Sequence, residues 1–184
     1  MAKALKERKQ IVVDTVDTIR EDKSFRRAKT QFTRIMDGID LKMLLIELNS
    51  LHVSRGVTAI KTSQVVQDAL RIIIDSSVDE ISVRSRATTI KMTCLQASLE
   101  VEELVSYLSK YILSRYTKHL KEEGATTITA QKALIEVILR QFIEARKKLE
   151  AVMKIADLVT TDIDQASYGL SRIQNAIETA SKDR

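Results

Sequence analysis

Between Ile135 and Ala180, stepping alternately by three and four residues lands on an apolar side chain every time. The stripe is Ile135, Ile138, Phe142, Ala145, Leu149, Val152, Ala156, Val159, Ile163, Ala166, Leu170, Ile173, Ile177 and Ala180. A mean step of 3.5 residues keeps one face of an α-helix turned toward a neighbour, so residues 128–182 read as one continuous, gently supercoiled helix of roughly 80 Å. Only partners of similar length can cover such a stripe from end to end. Ala145, Ala166 and Ala180 in one half of it call for close approach of a neighbouring backbone. Gly169 lies inside and costs on the order of 1 kcal/mol relative to alanine.

The rest of the chain offers such partners. Proline and tryptophan are absent and glycine occurs four times, so little interrupts a helix. Period-two runs bounded by turn residues, the mark of strands, are missing. Gly56 and Gly124 supply the punctuation: His52 and Arg55 precede the first, and Lys118, His119 and Lys121 the second. Cations favour the negative C-terminal end of a helix, and glycine takes a left-handed cap without steric cost. Thr126 and Thr127 can then cap the next helix. The expected fold is all-α: an elongated antiparallel bundle of three long coiled-coil-like helices, 24–54, 58–120 and 128–182. A basic N-terminal helical arm, 1–22, completes a single domain, 1–184.

The second helix repeats the seam in Val83, Ala87, Ile90, Cys94, Ala97, Val101, Leu104, Leu108 and Tyr111. Upstream of it, Ser77 with Glu80 three residues on forms a capping-box pattern, which places a candidate break at Asp75 to Ser77. The first helix carries Phe25, Phe32, Met36, Ile39, Met43, Ile46 and Val53 on one stripe, interrupted by Lys29 and Ser50. Leu5, Val12, Val16 and Ile19 follow another frame, and the slip falls at "REDKS", where Ser24 is the candidate cap.

Apolar surface does not balance along the chain. "IDLKMLLIELNSLHV" is apolar around nearly its whole circumference, and a helix of that kind must be buried on all sides. The narrow stripe of 160–182 cannot cover it. Leu41, Leu44, Leu45, Leu48 and Leu51, with Ile72, Ile73 and Ile74 beyond the Gly56 turn, are therefore the expected homo-oligomer interface.

The net charge of +5 is entirely N-terminal: positions 1–34 hold ten basic and five acidic residues, and the remainder twenty of each. Lys3, Lys6, Arg8, Lys9, Arg26, Arg27 and Arg34 are the candidate anion contacts, toward nucleic acid or an acidic membrane surface. Phe25 and Phe32 share the buried stripe and so do not form a stacking platform for bases.

Catalytic chemistry finds little support. Cys94 is the only cysteine, which excludes an intrachain disulfide or a cysteine-based zinc site, and suits a reducing compartment. His52 and His119 sit where they aid helix ends. Carboxylate groups such as Glu100, Glu102 and Glu103, or Asp162 and Asp164, fall beside the seams as solvated faces. No glycine-rich phosphate loop, calcium loop or paired Glu-x-x-His motif is present, so no cofactor, metal or small-molecule substrate is expected. The longest aliphatic run is "MLLI", so a cytoplasmic protein without a signal peptide or spanning helix is expected. Non-enzymatic scaffolding or assembly through self-association is the leading expectation. A nucleic-acid-binding helical oligomer and a peripheral scaffold on acidic lipids are the alternatives.

Overall fold

The computed structural model describes residues 15–54, 66–122 and 124–182, and among these there are helices and connections but no strand. In order they are α1 (residues 15–21), α2 (Lys23–Asp37), α3 (Leu41–Ser54), α4 (Val66–Glu122), α5 (Ile128–Ile138) and α6 (Arg140–Lys182). The arm's first fourteen residues and the Gly56 turn lie outside the described residues.

Each boundary has a local cause. Asp22 bends the chain after α1, and its carboxylate accepts the Ser24 N–H at 2.7 Å, which makes it the N-cap of α2. The cap is therefore Asp22 and not Ser24: a carboxylate one residue outside the helix reaches a first-turn N–H that a serine inside it cannot. At the far end of α4, Gly124 adopts a φ of 85°, and its N–H returns to the Lys121 carbonyl at 2.9 Å. Thr127 then caps α5 by accepting the Ala130 N–H, and buried Gln131 closes the connection by donating to the Ala125 carbonyl at 3.0 Å.

Three sequence expectations change. Residues 24–54 are two helices, because α2 closes at Asp37 with Gly38 as its C-cap. Residues 128–182 are interrupted once, at Leu139, whose N–H still reaches the Ile135 carbonyl at 2.9 Å. Ile138 and Leu139 are both buried there, so the interruption turns two consecutive side chains into the core. The candidate break at Asp75 to Ser77 is absent, since α4 runs through it. Ser77 Oγ donates to the Ile73 carbonyl one turn back at 2.8 Å, satisfying the hydroxyl within the helix. Glu80, the other half of the expected capping box, accepts instead from Ser167 Oγ at 2.8 Å.

The chain gathers into two compact units: unit 1 combines the chain up to Asp40 with Gln96–Glu150, and unit 2 combines Leu41–Leu95 with Ala151–Arg184. In unit 1 the phenylalanines converge, Phe142 lying 6.1 Å from Phe25 edge-on and 4.4 Å from Phe32, ring centre to ring centre. Val101, Leu104, Leu108, Ile112 and Leu120 of α4 pack into the same core with Ile135 and Leu139. The α4 seam holds through Leu108 and then advances four residues at a time to Ile112, Tyr116 and Leu120. Unit 2 has a thinner seam of small and branched residues: Ala87, Ile90 and Cys94 on α4, and Val152, Ala156, Val159 and Ile163 on α6, all buried.

Charged pairs flank that seam. Arg84 meets Asp164 at 3.0 Å and Lys91 meets Asp157 at 2.6 Å, while Glu80 takes the Ser167 hydroxyl. Partner numbers on α6 fall as those on α4 rise, so the two helices run in opposite directions within unit 2. α3 joins through Arg86, which forks onto Glu47, and through His52, 3.6 Å from Asp162.

Candidate interaction surfaces

The outward face of α2 carries the positive charge expected of it. Arg26, Arg27 and Arg34 are exposed and form no ion pair with another described residue. Lys23, not singled out in the sequence, falls in register with them: Lys23, Arg27, Thr30 and Arg34 recur at i, i+4, i+7 and i+11, one row along a helix. That spacing was available from the sequence; the cap that places Lys23 inside α2 was not. Lys3, Lys6, Arg8 and Lys9 lie outside the described residues.

The basic row is bounded on one side by acid. Arg27 lines a groove of about 380 Å³ together with Ser24, Gln31 and Tyr107, and Glu100 and Glu103 line it too. Two carboxylates lining one groove with a guanidinium lower the local positive potential there.

Above the row sits the most elaborate polar contact of unit 1. The Asp22 carboxylate accepts from Tyr116 at 2.8 Å and from Tyr111 at 3.0 Å, with Arg115 3.9 Å away and the side chain only 10% exposed. Burial pushes this carboxyl's pKa up. The hydrogen bonds from Tyr116, from the Ser24 N–H, from Tyr111 and from the Phe25 N–H outweigh it and hold the group below the ordinary range. Tyr116 moves the other way, raised by burial and by its bond to Asp22. This arrangement fixes the α1–α2 corner onto α4, and its acceptor sites are already occupied by protein donors.

The apolar candidates divide. Leu48 and Ile73 are buried inside unit 2, Leu41, Leu44, Leu51 and Ile72 are half-buried, and Leu45 and Ile74 are exposed. The reason is a frame shift at Gly38. Continuing the α2 stripe would turn Met43, Ile46 and Val53 inward, yet these are 56%, 52% and 71% exposed, while α3 turns in Leu41, Leu44, Leu48 and Leu51. A second apolar row lies on α4, where Ile74, Val78, Ile81 and Met92 are 62%, 60%, 68% and 56% exposed. Val78, Ile81 and Met92 are not among the expected interface residues; they lie on the side of α4 opposite the buried seam of Ala87 and Ile90.

The thiol of Cys94 is fully buried, and burial raises its pKa, which keeps it protonated and unreactive. His119 packs its ring against Tyr116 at 5.8 Å. Among the described residues no group of three or more His, Cys, Asp or Glu side chains could hold a metal ion, and no helix is long and apolar enough to cross a membrane. Comparison with protein-family models, curated proteins and solved structures gives no match.

Proposed function

We propose that this chain is a non-enzymatic helical assembly subunit that self-associates through the exposed apolar faces of unit 2. One observation carries the reading: Met43, Ile46 and Val53 on α3, and Ile74, Val78 and Ile81 on α4, are all more than half exposed. Side chains of this size left in water forgo about 25 cal/mol for each Å² of apolar surface, several kcal/mol over the set. A second copy that covers them recovers that free energy. The opposed order of ion pairs on α4 and α6 supports the finer architecture, an elongated antiparallel bundle of three coiled-coil-like segments, as the scaffold of this surface.

Sedimentation equilibrium of the full chain over a wide concentration range, with small-angle scattering on the same samples, tests both parts. A mass at a multiple of 20.8 kDa is expected, with an extended scattering profile. A compact monomer at every concentration overturns the proposal.

The exposed cations of α2, Lys23, Arg26, Arg27 and Arg34, which form no ion pair with another described residue, favour a second reading, in which the assembly rests on a polyanion. Binding of duplex or single-stranded nucleic acid should then fall steeply with salt. Sedimentation with acidic liposomes separates the membrane form of this reading from the nucleic-acid form. The double change Arg26→Glu with Arg27→Glu should remove either interaction.

A further inference from the structure

We infer that α4 pairs with α4 of a second copy of this chain, antiparallel, across a two-fold axis between Ser85 and Thr88. The inference rests on the self-association reading above and names the surface responsible. Its basis is the outward row of α4, which steps by three and four residues through exposed Val78, Ile81, Ser85, Thr88 and Met92 to half-buried Leu95. Antiparallel pairing of this row with itself sets Val78 opposite Leu95, Ile81 opposite Met92 and Ser85 opposite Thr88, and the two-fold axis repeats each pair. Large apolar residues thus meet large ones, and the two small hydroxyl residues meet at the centre, where the helices approach closest.

The flanks agree with this occupant. On one side Arg84 and Lys91 are each held by a carboxylate of their own chain, Asp164 and Asp157, so the approaching copy meets neutralised pairs and not bare cations. On the other side Ser82 and Thr89 are exposed and uncharged. The two-fold lays each flank against its own copy, so the two cations meet their counterparts as carboxylate-paired groups, and Ser82 and Thr89 meet without charge.

The area also suits a dimer. Val78, Ile81 and Met92, each more than half exposed, present on the order of 100 Å² apiece, or roughly 300 Å² of apolar surface per copy. A standard interface covers about 800 Å² per partner, a little over half of it apolar. The row supplies the centre of such an interface, and its polar flanks supply the rim.

Two measurements on the full chain decide the matter. Ser85→Cys and Thr88→Cys chains, mixed and oxidised with copper phenanthroline, should form a mixed disulfide more readily than either forms with itself; buried Cys94 stays out of the reaction. Ile81→Glu should weaken the dimer roughly 100-fold or more in sedimentation equilibrium, since the change removes two Ile81–Met92 contacts. Its helical circular dichroism should persist, because Ile81 lies outside the monomer core. Preferential Ser85→Cys self-linkage means a parallel pair and overturns the inference. A wild-type dimer that survives Ile81→Glu and gives no mixed disulfide also overturns it, leaving self-association through another face. A wild-type chain that stays monomeric removes the proposed function together with it.

Discussion

Unit 1 closes on aromatic rings, whereas unit 2 closes on aliphatic and small side chains and, among the described residues, leaves twelve large apolar side chains exposed against four in unit 1. The chain's three phenylalanines meet in the unit 1 core, and Tyr116 of the same unit is buried with its hydroxyl bonded to Asp22. Unit 2 closes on Ala87, Cys94 and Ala156 with branched aliphatics between them, and its rims are latched by ion pairs between half-exposed side chains. An aromatic ring removes far more surface from water than an alanine does, so unit 1 covers more apolar surface per core residue. A small-residue seam brings helices close and yields less burial per residue. The apolar surplus of unit 2 then points outward, where another chain can use it.

The strongest way to break this contrast is Phe142→Ala. Loss of the ring that touches both Phe25 and Phe32 should cost about 3–5 kcal/mol in chemical denaturation. A loss below about 1 kcal/mol would mean that the aromatic cluster is not what holds unit 1.

Ala156→Leu addresses the other side of the comparison. The residue is fully buried in the seam, and added methylenes should destabilise by about 1–3 kcal/mol. Ala151→Leu, at an exposed position of the same helix, is the control and should stay within about 0.5 kcal/mol. Equal effects at both positions would show that the seam is loose.

Asp22→Ala removes the α2 cap and should cost about 1–2 kcal/mol near neutral pH. Its pH dependence sharpens the test. The folded-state pKa of Asp22 is lowered, so the carboxylate's contribution is complete above its unfolded value of about 3.9 and disappears as pH falls through the depressed folded value. Denaturation curves of wild type and variant should therefore converge in acid; a constant difference down to the lowest pH would assign the effect to packing alone.

The smallest expected change is at the unit 2 rim. Lys91→Ala breaks the pair with Asp157 and should cost less than about 1 kcal/mol, shrinking further in high salt because both side chains are partly solvated.

Much of the core was legible beforehand. The seam residues from Ile135 to Ile163 are buried or nearly so, and so are Ala87 through Leu108 on α4, because a stripe without polar interruptions leaves a helix one way to face its neighbours. The stripe weakens toward its end, where Ile173 is 40% exposed. What misled was α3. Its two apolar frames, Met43–Ile46–Val53 and Leu41–Leu44–Leu48–Leu51, are equally hydrophobic, so periodicity could not choose between them, and the stripe continuing from Phe32 and Met36 pointed to the wrong one. Ser77 misled differently: a serine followed by a glutamate three residues on can cap a helix, but the same hydroxyl can bond one turn back inside a longer helix. Arg26, Arg27 and Arg34 are exposed, while the carboxylates that share a groove with Arg27 come from α4, far away in the chain.

By itself the sequence determined that this chain is helical and which sides of α4 and α6 must be covered, since one-sided periodicity and the absence of proline are properties of each segment alone. Tertiary packing decided where the helices end at Asp37 and Leu139, which face of α3 turns inward, and hence which apolar rows remain outside. The physical reason is that a helix apolar on every side has no preferred orientation of its own; the surface it meets selects one.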